Sequence, residues 1–347
     1  MRPQETWILR PATAGDAPAL ARLAGQCPIG VTSLPREADA LVERIACAAF
    51  GLDAAARLQA DGRPAAQTYP FALEVAGEIL GTSNIEAYAG AIEPVYSYRQ
   101  ETLIHASREL GVHNEVAVLS LCHDLSGASL LGGFAIAPAL LDSPAAELLS
   151  RGRLLFMAAH PDRFADLVAA ELLGPCDEAG NAPFWDAVGR HFFGISYEEA
   201  ERYSREKGRA FIAELLPQHP VYVPLLPAAA RDAIGAVHPF SHRPAEILGA
   251  EGFAFERYVD IFDGGPTLQA PWSEIRSIAR HRRANLVPHA GAVEGQRYLV
   301  ATMQAESFRS VLAEGAGDPE RGELWMAESD IAALQAQAGD MVVFVEA

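Results

Sequence analysis

The sequence predicts an α+β fold whose central sheet is mostly antiparallel, with a small β-rich region at the C-terminal end. A strand–turn–strand pattern occupies residues 69–90, and further strand-like runs follow it up to residue 137. Helical patterns dominate the middle of the chain, and short strand-like runs return after Gly264. We therefore expect a main domain over residues 1–265 and a smaller β-rich region over residues 266–347.

Composition supports two units and excludes some classes of partner. Half of the 347 residues are hydrophobic, so the chain can bury a large core. It carries 45 acidic and 27 basic side chains, a net charge of −18. Such a field repels nucleic acid and anionic membrane surfaces, and it is compatible with a cationic small substrate.

Cysteine spacing and hydropathy predict a soluble cytoplasmic protein. The four cysteines are scattered, with no CxxC pair, which is typical of reduced and mostly buried thiols. The N-terminus reaches an acidic residue before any apolar run long enough for a signal peptide. No apolar stretch is as long as a membrane span.

The first half of the chain reads as strands with two early helices. TWILRPAT predicts a first strand, and Asp16 is placed to cap the helix that follows. EADALVERIACAAF predicts a second helix with one apolar face. The hairpin after it turns at Ala76-Gly77-Glu78, and three more strand-like runs lead to residue 137.

Capping patterns mark the helices of the second half. Asn181 is placed to cap APFWDAVGRHFF, while Ser196 and Glu199 have the spacing of a capping box. ADLVAAELLG and FAFERYVDIF predict buried strands. After the turn at DGGP, the clearest helical pattern is SDIAALQAQAG.

One strand–loop–helix unit has the order that commonly holds phosphate at a helix N-terminus. The apolar strand 130–137 contains Gly132-Gly133, which indicates either a β-bulge or a ligand lying along exposed strand amides. The helix from Pro144 should end before Pro161. Arg151 and Arg153 on this helix are either solvated or able to reach a phosphate.

Two clusters of chemically active side chains invite alternatives. His238 and His242 have metal-pair spacing, but Pro239 and Pro244 argue against a regular helix, so no metal site is expected. His238 is instead either a general acid or base at a cleft or a surface or capping histidine. The run Cys122-His123-Asp124 is not a catalytic arrangement by itself, because neighbouring strand residues face opposite sides.

Several long and unusual strings span almost the whole chain: GVTSLP from Gly30, LIHASRELGVHN from Leu103, LSLCHDLSG from Leu119, SPAAELL from Ser143, SRGRLLFMAAHPDRFAD from Ser150, PFWDAVGRHFF from Pro183, FIAELLPQHPVYVPLLP from Phe211, AIGAVHP from Ala233 and YVDIFDGGPTL from Tyr258. Together they resemble the arginine N-succinyltransferase family, and most closely the alpha subunits of its paired arginine/ornithine members. The resemblance implies a fold like that of the GCN5-related N-acetyltransferases.

The resemblance also implies a reaction and its participants. A succinyl group passes from succinyl-CoA, a co-substrate, to the α-amino group of L-arginine in arginine catabolism, and L-ornithine is a further candidate acceptor. Succinyl-CoA is expected to contact Phe134 and Ile136, and His238 falls where the family has its proton donor. A homologous beta subunit is the expected partner, in a hetero-oligomer.

Physical chemistry agrees with these roles, with one departure. Attack of an amine on a thioester needs a polarised carbonyl and a protonated thiolate, and no covalent enzyme intermediate. A guanidinium prefers a bidentate carboxylate, for which Glu86, Glu101 and Asp124 are all candidates. The loop over residues 138–143 lacks the arginine and glycines that the resemblance implies there, and Asp142 adds negative charge where the pyrophosphate of CoA would lie.

This departure leaves two hypotheses of different classes. In the first, the chain is an active succinyltransferase that uses His238. In the second, it is a non-catalytic or acyl-CoA-deficient alpha subunit that supports a catalytic beta-type partner. Turnover by the chain alone distinguishes them.

Overall fold

The computed structural model describes residues 6–31, 34–53, 67–208 and 210–347, so Thr32 and Ser33 of the GVTSLP string lie outside it. The strands of these residues are, in chain order, β1 Trp7–Pro11, β2 Thr68–Val75, β3 Glu78–Glu86, β4 Ser97–Ser107, β5 Val112–Cys122, β6 Ser129–Ile136, β7 Leu167–Glu171, β8 Val221–Tyr222, β9 Ala254–Val259, β10 Pro266–Pro271, β11 Arg282–His289, β12 Gln296–Thr302, β13 Ser310–Asp318, β14 Glu323–Ala327 and β15 Met341–Glu346.

The helices lie mainly between β6 and β9 and at the N-terminal end. They are α1 Ala17–Ala24, α2 Ala38–Asp53, α3 Pro144–Ala159, α4 Pro183–Ala187, α5 Gly189–Phe193, α6 Tyr197–Lys207, α7 Ala210–Leu215, α8 Ala228–Ala233, α9 His242–Ala250, α10 Arg276–Ala279 and α11 Glu328–Ala333. In the described part of the chain, no helix is both long and apolar enough to cross a membrane.

One continuous sheet organises the chain, in the order β12-β15-β11-β14-β13-β1-β2-β3-β6-β7-β10-β9-β4-β5-β8. Most neighbours are antiparallel, as predicted; β6 with β7 and β11 with β14 are parallel. This arrangement confirms the predicted α+β class with a mostly antiparallel central sheet. The parallel pair β6–β7 lies at the centre of the sheet and positions the site.

The predicted hairpin is confirmed, and its turn has a clear backbone cause. Ala76 and Gly77 both have positive φ, at 49° and 84°, which reverses the chain tightly between β2 and β3. Asp16 is the N-cap residue of α1, as predicted, but its side chain makes no capping hydrogen bond. Its carboxylate instead accepts hydrogen bonds from Thr13 and pairs with Arg10 at 2.8 Å.

The prediction that Asn181 caps the next helix pattern is wrong. Its backbone and side-chain N–H groups both donate to Asp177, and Ala182 takes the N-cap position of α4. The predicted helix is also broken at Val188 into α4 and α5. The capping box of Ser196 and Glu199 at the start of α6 is confirmed.

Helix α3 lies at the centre of the main core, and it ends at Ala159, before Pro161, as predicted. Its apolar side chains are fully buried among residues of the sheet and of α9 and α10. Arg151 and Arg153 are 2% exposed, so the expectation that they are solvated is wrong. Arg151 pairs with Glu251 at 2.8 Å and donates to the carbonyl of Glu346, which leaves it unable to reach a phosphate.

The strands of the C-terminal β-rich region belong to the same sheet as the N-terminal strand β1. β13 pairs with β1 at Ile8 and Leu9, so the sheet runs without interruption into the β-rich region. β10, which follows the expected division at residue 265, pairs with β7 and β9. The boundary between residues 265 and 266 stays a prediction. α11 is confirmed as a helix, but it is shorter than the SDIAALQAQAG pattern.

Candidate active site

The two central parallel strands separate along their length. β6 pairs with β7 only from Ser129 to Leu131, opposite Val168 to Ala170. Beyond Leu131 the strands diverge, so on this side the β6 backbone faces a gap instead of a β7 partner. A separation of this kind gives a ligand backbone groups to bind inside an otherwise closed sheet.

A β-bulge lies at the start of the gap. The register of β6 against β3 shifts between the pairs Thr82–Ala135 and Asn84–Gly132, which leaves one extra residue on β6. Gly133 has a φ of +60°, and a Cβ there would lie 2.9 Å from Nδ2 of Asn84. Of the two readings of Gly132-Gly133, the bulge is therefore confirmed, and the gap beside it is compatible with a bound ligand.

The gap opens into a cavity of about 520 Å³. Its walls come from β3, β6 and β7, from α2, α3, α6 and α9, from the loops that follow α1 and β3, and from the segment 260–263. The wall residues that bear on chemistry are Gly30, Arg44, Glu86, Glu93, Gly132, Gly133, Phe134, Arg153, Glu171, Glu201, Ser204, Ser241, Asp260 and Asp263. A volume of this size holds an acyl chain together with a small amino acid.

The two residues expected to contact succinyl-CoA differ in position. Phe134 lies in the bulge, is half-buried and lines the cavity. Ile136 is 9% exposed and packs in the main hydrophobic core. Only the backbone of Ile136 is therefore placed to meet a ligand in the gap, and both assignments stay predictions.

The cavity wall is rich in carboxylates. Its carboxylates are Glu86, Glu93, Glu171, Glu201, Asp260 and Asp263. Among the three carboxylates considered for the guanidinium, Glu86 is on this wall. Arg99 pairs with Glu101 at 2.8 Å and with Asp124 at 2.6 Å, so these two are already engaged elsewhere.

Asp263 and Glu201 are the two deeply buried members of this group, at 4% and 3% exposure. Asp263 accepts hydrogen bonds from the backbone N–H groups of Gly174 and Gly265, at 2.9 and 2.7 Å. Burial, followed by the neighbouring charge of Asp260, raises its pKa well above the ordinary value of an aspartate. A cation bound nearby would relieve this cost, so this end of the cavity favours a positively charged ligand.

The burial of Arg153 was not predicted from the sequence. Its Nε donates to the carbonyl of Ser150, and its Nη1 donates to the carbonyls of Asn84 and Gly132, each at 3.1 Å. The last two bonds fasten α3 to both strands of the bulge. A signal was available in the helix itself, because α3 is apolar around its whole circumference and offers an arginine no solvent face.

His238 lies at the edge of the site, outside the residues that line the cavity. Its backbone N–H donates to the carbonyl of Leu173, and its Nδ1 accepts the N–H of Phe240 at 3.1 Å. Burial lowers its pKa below the ordinary histidine value, although a hydrogen bond with the backbone of Cys176 opposes this. The capping role is thus present, and the imidazole is neutral at pH 7, with Nε2 carrying the proton.

His242 does not join His238 in a metal pair. Its Nε2 lies 3.2 Å from the carbonyl of Val237, whereas the ring of His238 contacts Phe240. The two rings therefore have separate backbone partners. The structure does not bring the two histidines into one ligand set.

The loop before α3 satisfies its own backbone groups. The N–H groups of Leu140, Leu141 and Ser143 donate to carbonyls of the same loop. At the helix start, Pro144 has no N–H and the N–H of Ala145 donates to Oγ of Ser143 at 3.2 Å. Glu147 in the first turn pairs with Arg243 at 3.2 Å. This helix end therefore has fewer free donors for a phosphate than a glycine-rich loop has.

Cys122 does not have the environment of a nucleophile. Its thiol donates to the carbonyl of Ser97 at 3.4 Å, and burial raises its pKa. A protonated thiol reacts slowly, because the thiolate is the reactive form. The run Cys122-His123-Asp124 is therefore no alternative active site.

Separated parallel strands, a bulge on the first of them, and a helix that begins after a short loop agree with the acyltransferase fold that the sequence resemblance implies. Comparison with known families specifies the protein further. Residues 7–277 match the family described as arginine N-succinyltransferase beta subunit, and residues 280–346 match the C-terminal domain of that subunit. The chain belongs to the arginine N-succinyltransferase family.

Individual relatives agree with this membership. Arginine N-succinyltransferase subunit alpha of Pseudomonas aeruginosa is 49% identical over 88% of this chain and 90% of its own length. Arginine N-succinyltransferase of an Enterobacter species is 38% identical over 97% of both chains. The solved structure of arginine/ornithine succinyltransferase subunit AI from Pseudomonas aeruginosa superposes with a TM-score of 0.89, at 43% identity and 99% coverage of both chains.

Proposed function

We infer that this chain is an acyltransferase that moves the succinyl group of succinyl-CoA onto the α-amino group of L-arginine. The observation that carries this inference is the gap between β6 and β7, which opens into a cavity lined by carboxylates. The gap suits a pantetheine arm that hydrogen-bonds to strand amides, and the carboxylates suit a cationic acceptor. Family membership points to the same pair of substrates.

The acyl donor is proposed to lie along the open side of β6. Its amide groups would meet the backbone between Phe134 and Ile136, while the ring of Phe134 packs beside the pantetheine. The pyrophosphate would then lie towards the loop over residues 138–143. Because the donors of that loop are mostly occupied and Asp142 adds charge, we expect the strand to supply most of the binding free energy.

The acceptor is proposed to enter the acidic end of the cavity. Glu86 is the first candidate to hold the guanidinium, because it lies on the wall and belongs to the strand next to β6. The pKa of Asp263 is raised, and a cation bound beside it would favour its ionised form. Binding of the cation and ionisation of Asp263 would therefore support each other. L-ornithine has the same α-amino group and a shorter cationic side chain, so the same wall would accept it with fewer bidentate contacts.

His238 is proposed to manage the proton. The amine nitrogen bonds to the thioester carbonyl carbon, the C–S bond breaks, and the departing thiolate takes up a proton. Because the imidazole is neutral at pH 7, we propose that it first accepts, directly or through a held water, the proton that the attacking amine loses, and that the imidazolium so formed gives this proton to the thiolate. Amides at the bulge near Phe134 would polarise the carbonyl.

The alternative of a non-catalytic alpha subunit is not favoured. Relatives of comparable length that cover 97% of this chain are named as the transferase without any subunit label. The proposed partner is nevertheless a homologous beta-type chain, since the relative at 49% identity is itself named as a subunit. A cytoplasmic location is proposed, because both proposed substrates are metabolites of that compartment.

Thiol release tests the proposed function. The purified chain, mixed with succinyl-CoA and L-arginine, should release free CoA thiol at a rate that depends on both substrates. His238→Ala should lower kcat by about 100-fold or more, the usual contribution of a general acid. His242→Ala is the matched control and should leave kcat nearly unchanged. Absence of turnover by the wild-type chain, with or without a beta-type partner, would disprove the proposal.

A further inference from the structure

Arg153 is a buried cation whose charge no side chain of the described residues neutralises. It is 2% exposed, and it forms no ion pair with a carboxylate in the part of the chain that the structure describes. Burial alone lowers its pKa, to about 9, so it is charged at pH 7. Burying a charge without a counter-charge is costly, and proteins rarely retain one without use.

The hydrogen bonds of Arg153 leave one end of its guanidinium available. A guanidinium has five N–H donors. Three are used at Nε and Nη1, by the carbonyls of Ser150, Asn84 and Gly132. Within the described residues, Nη2 donates to no group, and Arg153 is one of the residues that line the cavity. Its free donors are therefore available to a ligand there.

The position of Arg153 corresponds to one part of the proposed acyl donor. Gly132, which accepts from Nη1, starts the bulge where the β6–β7 gap begins. A donor whose pyrophosphate lies towards Ser143 runs back along β6, so its acyl end reaches Gly132. The far end of a succinyl group is a carboxylate, the kind of anion that a guanidinium binds best.

We propose that Arg153 binds the terminal carboxylate of the succinyl group through Nη2 and so selects succinyl-CoA over uncharged acyl-CoA substrates. This proposal rests on the proposed function. Arg44 is the other arginine on the cavity wall; burial lowers its pKa, and the charge of Glu86 acts on it in the opposite direction. No carboxylate acts on Arg153 in this way, which makes it the better anion receptor.

The test is the ratio of kcat/KM for succinyl-CoA to kcat/KM for butyryl-CoA, which has a methyl group in place of the carboxylate. Wild type should favour succinyl-CoA, and Arg153→Met should reduce the ratio by about 100-fold, as expected when a buried charged contact is lost. Arg153→Lys should recover part of it. Both rates come from one preparation, so a smaller folded fraction does not alter the ratio.

Arg44→Met is the matched control, and it should leave the ratio within a few-fold of wild type. A shifted ratio in Arg44→Met together with an unchanged ratio in Arg153→Met would overturn the proposal. A wild-type enzyme that uses succinyl-CoA and succinamoyl-CoA, its neutral amide analogue, equally well would overturn it even if every Arg153 variant failed to fold. Absence of turnover with all acyl-CoA substrates would instead overturn the proposed function.

Arg153 could bind either the terminal carboxylate of the succinyl group or the α-carboxylate of L-arginine, and agmatine as the acceptor distinguishes the two. It resembles L-arginine without the α-carboxylate. If Arg153 bound the acceptor, Arg153→Met would lose the preference for L-arginine over agmatine and keep the acyl-CoA ratio, and the proposal would be wrong. The expected result is the opposite, with the acyl-CoA ratio lowered and the preference between acceptors retained.

Discussion

At the scale of single residues, Gly133 has an unusual backbone geometry and lies in the bulge of the strand proposed to bind the acyl donor. Its φ of +60° belongs to the left-handed region, which costs an L-residue about 1–2 kcal/mol. A Cβ would also press on the side-chain amide of Asn84, whose backbone carbonyl accepts from Arg153. Any side chain at this position therefore disturbs the bulge as well as straining the chain.

Gly133→Ala should lower the free energy of unfolding by about 2–3 kcal/mol, since it combines left-handed strain with a crowded contact. It should also raise KM for succinyl-CoA, because the amides of the bulge shift. Urea unfolding and steady-state kinetics measure the two effects.

Gly111→Ala is the matched control for that substitution. Gly111 has a φ of +61°, and nothing lies within 4 Å of a Cβ built there. It should show the left-handed strain alone, about 1 kcal/mol, with KM unchanged. Equal losses of stability in the two variants would mean that Asn84 yields without cost, and the contact argument would be wrong.

At the scale of elements, the sequence predicts most of what local chemistry decides. The turn at Ala76-Gly77-Glu78, the capping box of α6 and the end of α3 before Pro161 all depend on neighbouring residues, and all are confirmed. Asn181 is the instructive exception. Its side chain meets Asp177 in the preceding turn, and a local competitor of this kind is not visible in a capping pattern.

Features that depend on contacts between residues distant in the sequence could not be predicted in this way. Gly132-Gly133 indicates a bulge, but the partner that presses on it, Asn84, belongs to another strand. The acidic wall draws Glu171 and Asp263 from segments far apart in the chain. The role of Arg153 depends on which strands α3 packs against, and helical periodicity does not reveal that.

The C-terminal end of α3 carries a histidine that burial keeps neutral. The ring of His160 packs on Phe156, with 4.8 Å between centroids, and its Nε2 is buried without a hydrogen-bond partner among the described residues. Burial, with the charge of Arg163 second, lowers its pKa to about 4. The favourable field of a helix C-terminus is thus outweighed by desolvation.

This histidine should make stability depend on pH. Since its pKa is about 6.5 unfolded and about 4 folded, the unfolded chain binds more protons below pH 6.5. The contribution is therefore fully present above pH 6.5 and is lost as pH falls towards 4. Between pH 7.5 and 5.0, the free energy of unfolding should fall by about 1 kcal/mol less in His160→Phe than in wild type, after allowance for the partial exposure of the ring.

Urea unfolding at both pH values measures that difference. The comparison with wild type removes the contribution of the carboxylates, which also depends on pH. His289→Phe, at an exposed position at the end of β11, should behave as wild type. An unchanged pH dependence in His160→Phe would show that the ring is protonated in the folded state.

At the scale of the whole molecule, one feature of the sheet extends beyond its core. β4 and β5 pair along their full length, but β9 covers β4 only at Tyr98 and Arg99, and β8 covers β5 only at Val118 and Leu119. The rest of this hairpin, residues 100–117, is a two-stranded ribbon. Such ribbons are marginally stable in water unless something packs on them.

The ribbon also exposes a group of large apolar side chains, which is unfavourable in a monomer in water. Ile104 is 63% exposed, Leu110 is 79% exposed and Val112 is 39% exposed. A group of this kind on one projecting element is typical of a protein–protein interface. We therefore propose that the proposed homologous partner chain packs against this ribbon.

Replacing exposed apolar side chains of the ribbon with lysine tests that contact. The double variant Ile104→Lys/Leu110→Lys should shift the assembly towards monomer, with at least a tenfold rise in the dissociation constant, because two buried apolar side chains contribute several kcal/mol. Light scattering after size-exclusion chromatography measures the mass. Leu225→Lys, 82% exposed outside the ribbon, is the control and should leave the mass unchanged. If Leu225→Lys alone dissociates the assembly, the interface lies there and not on the ribbon.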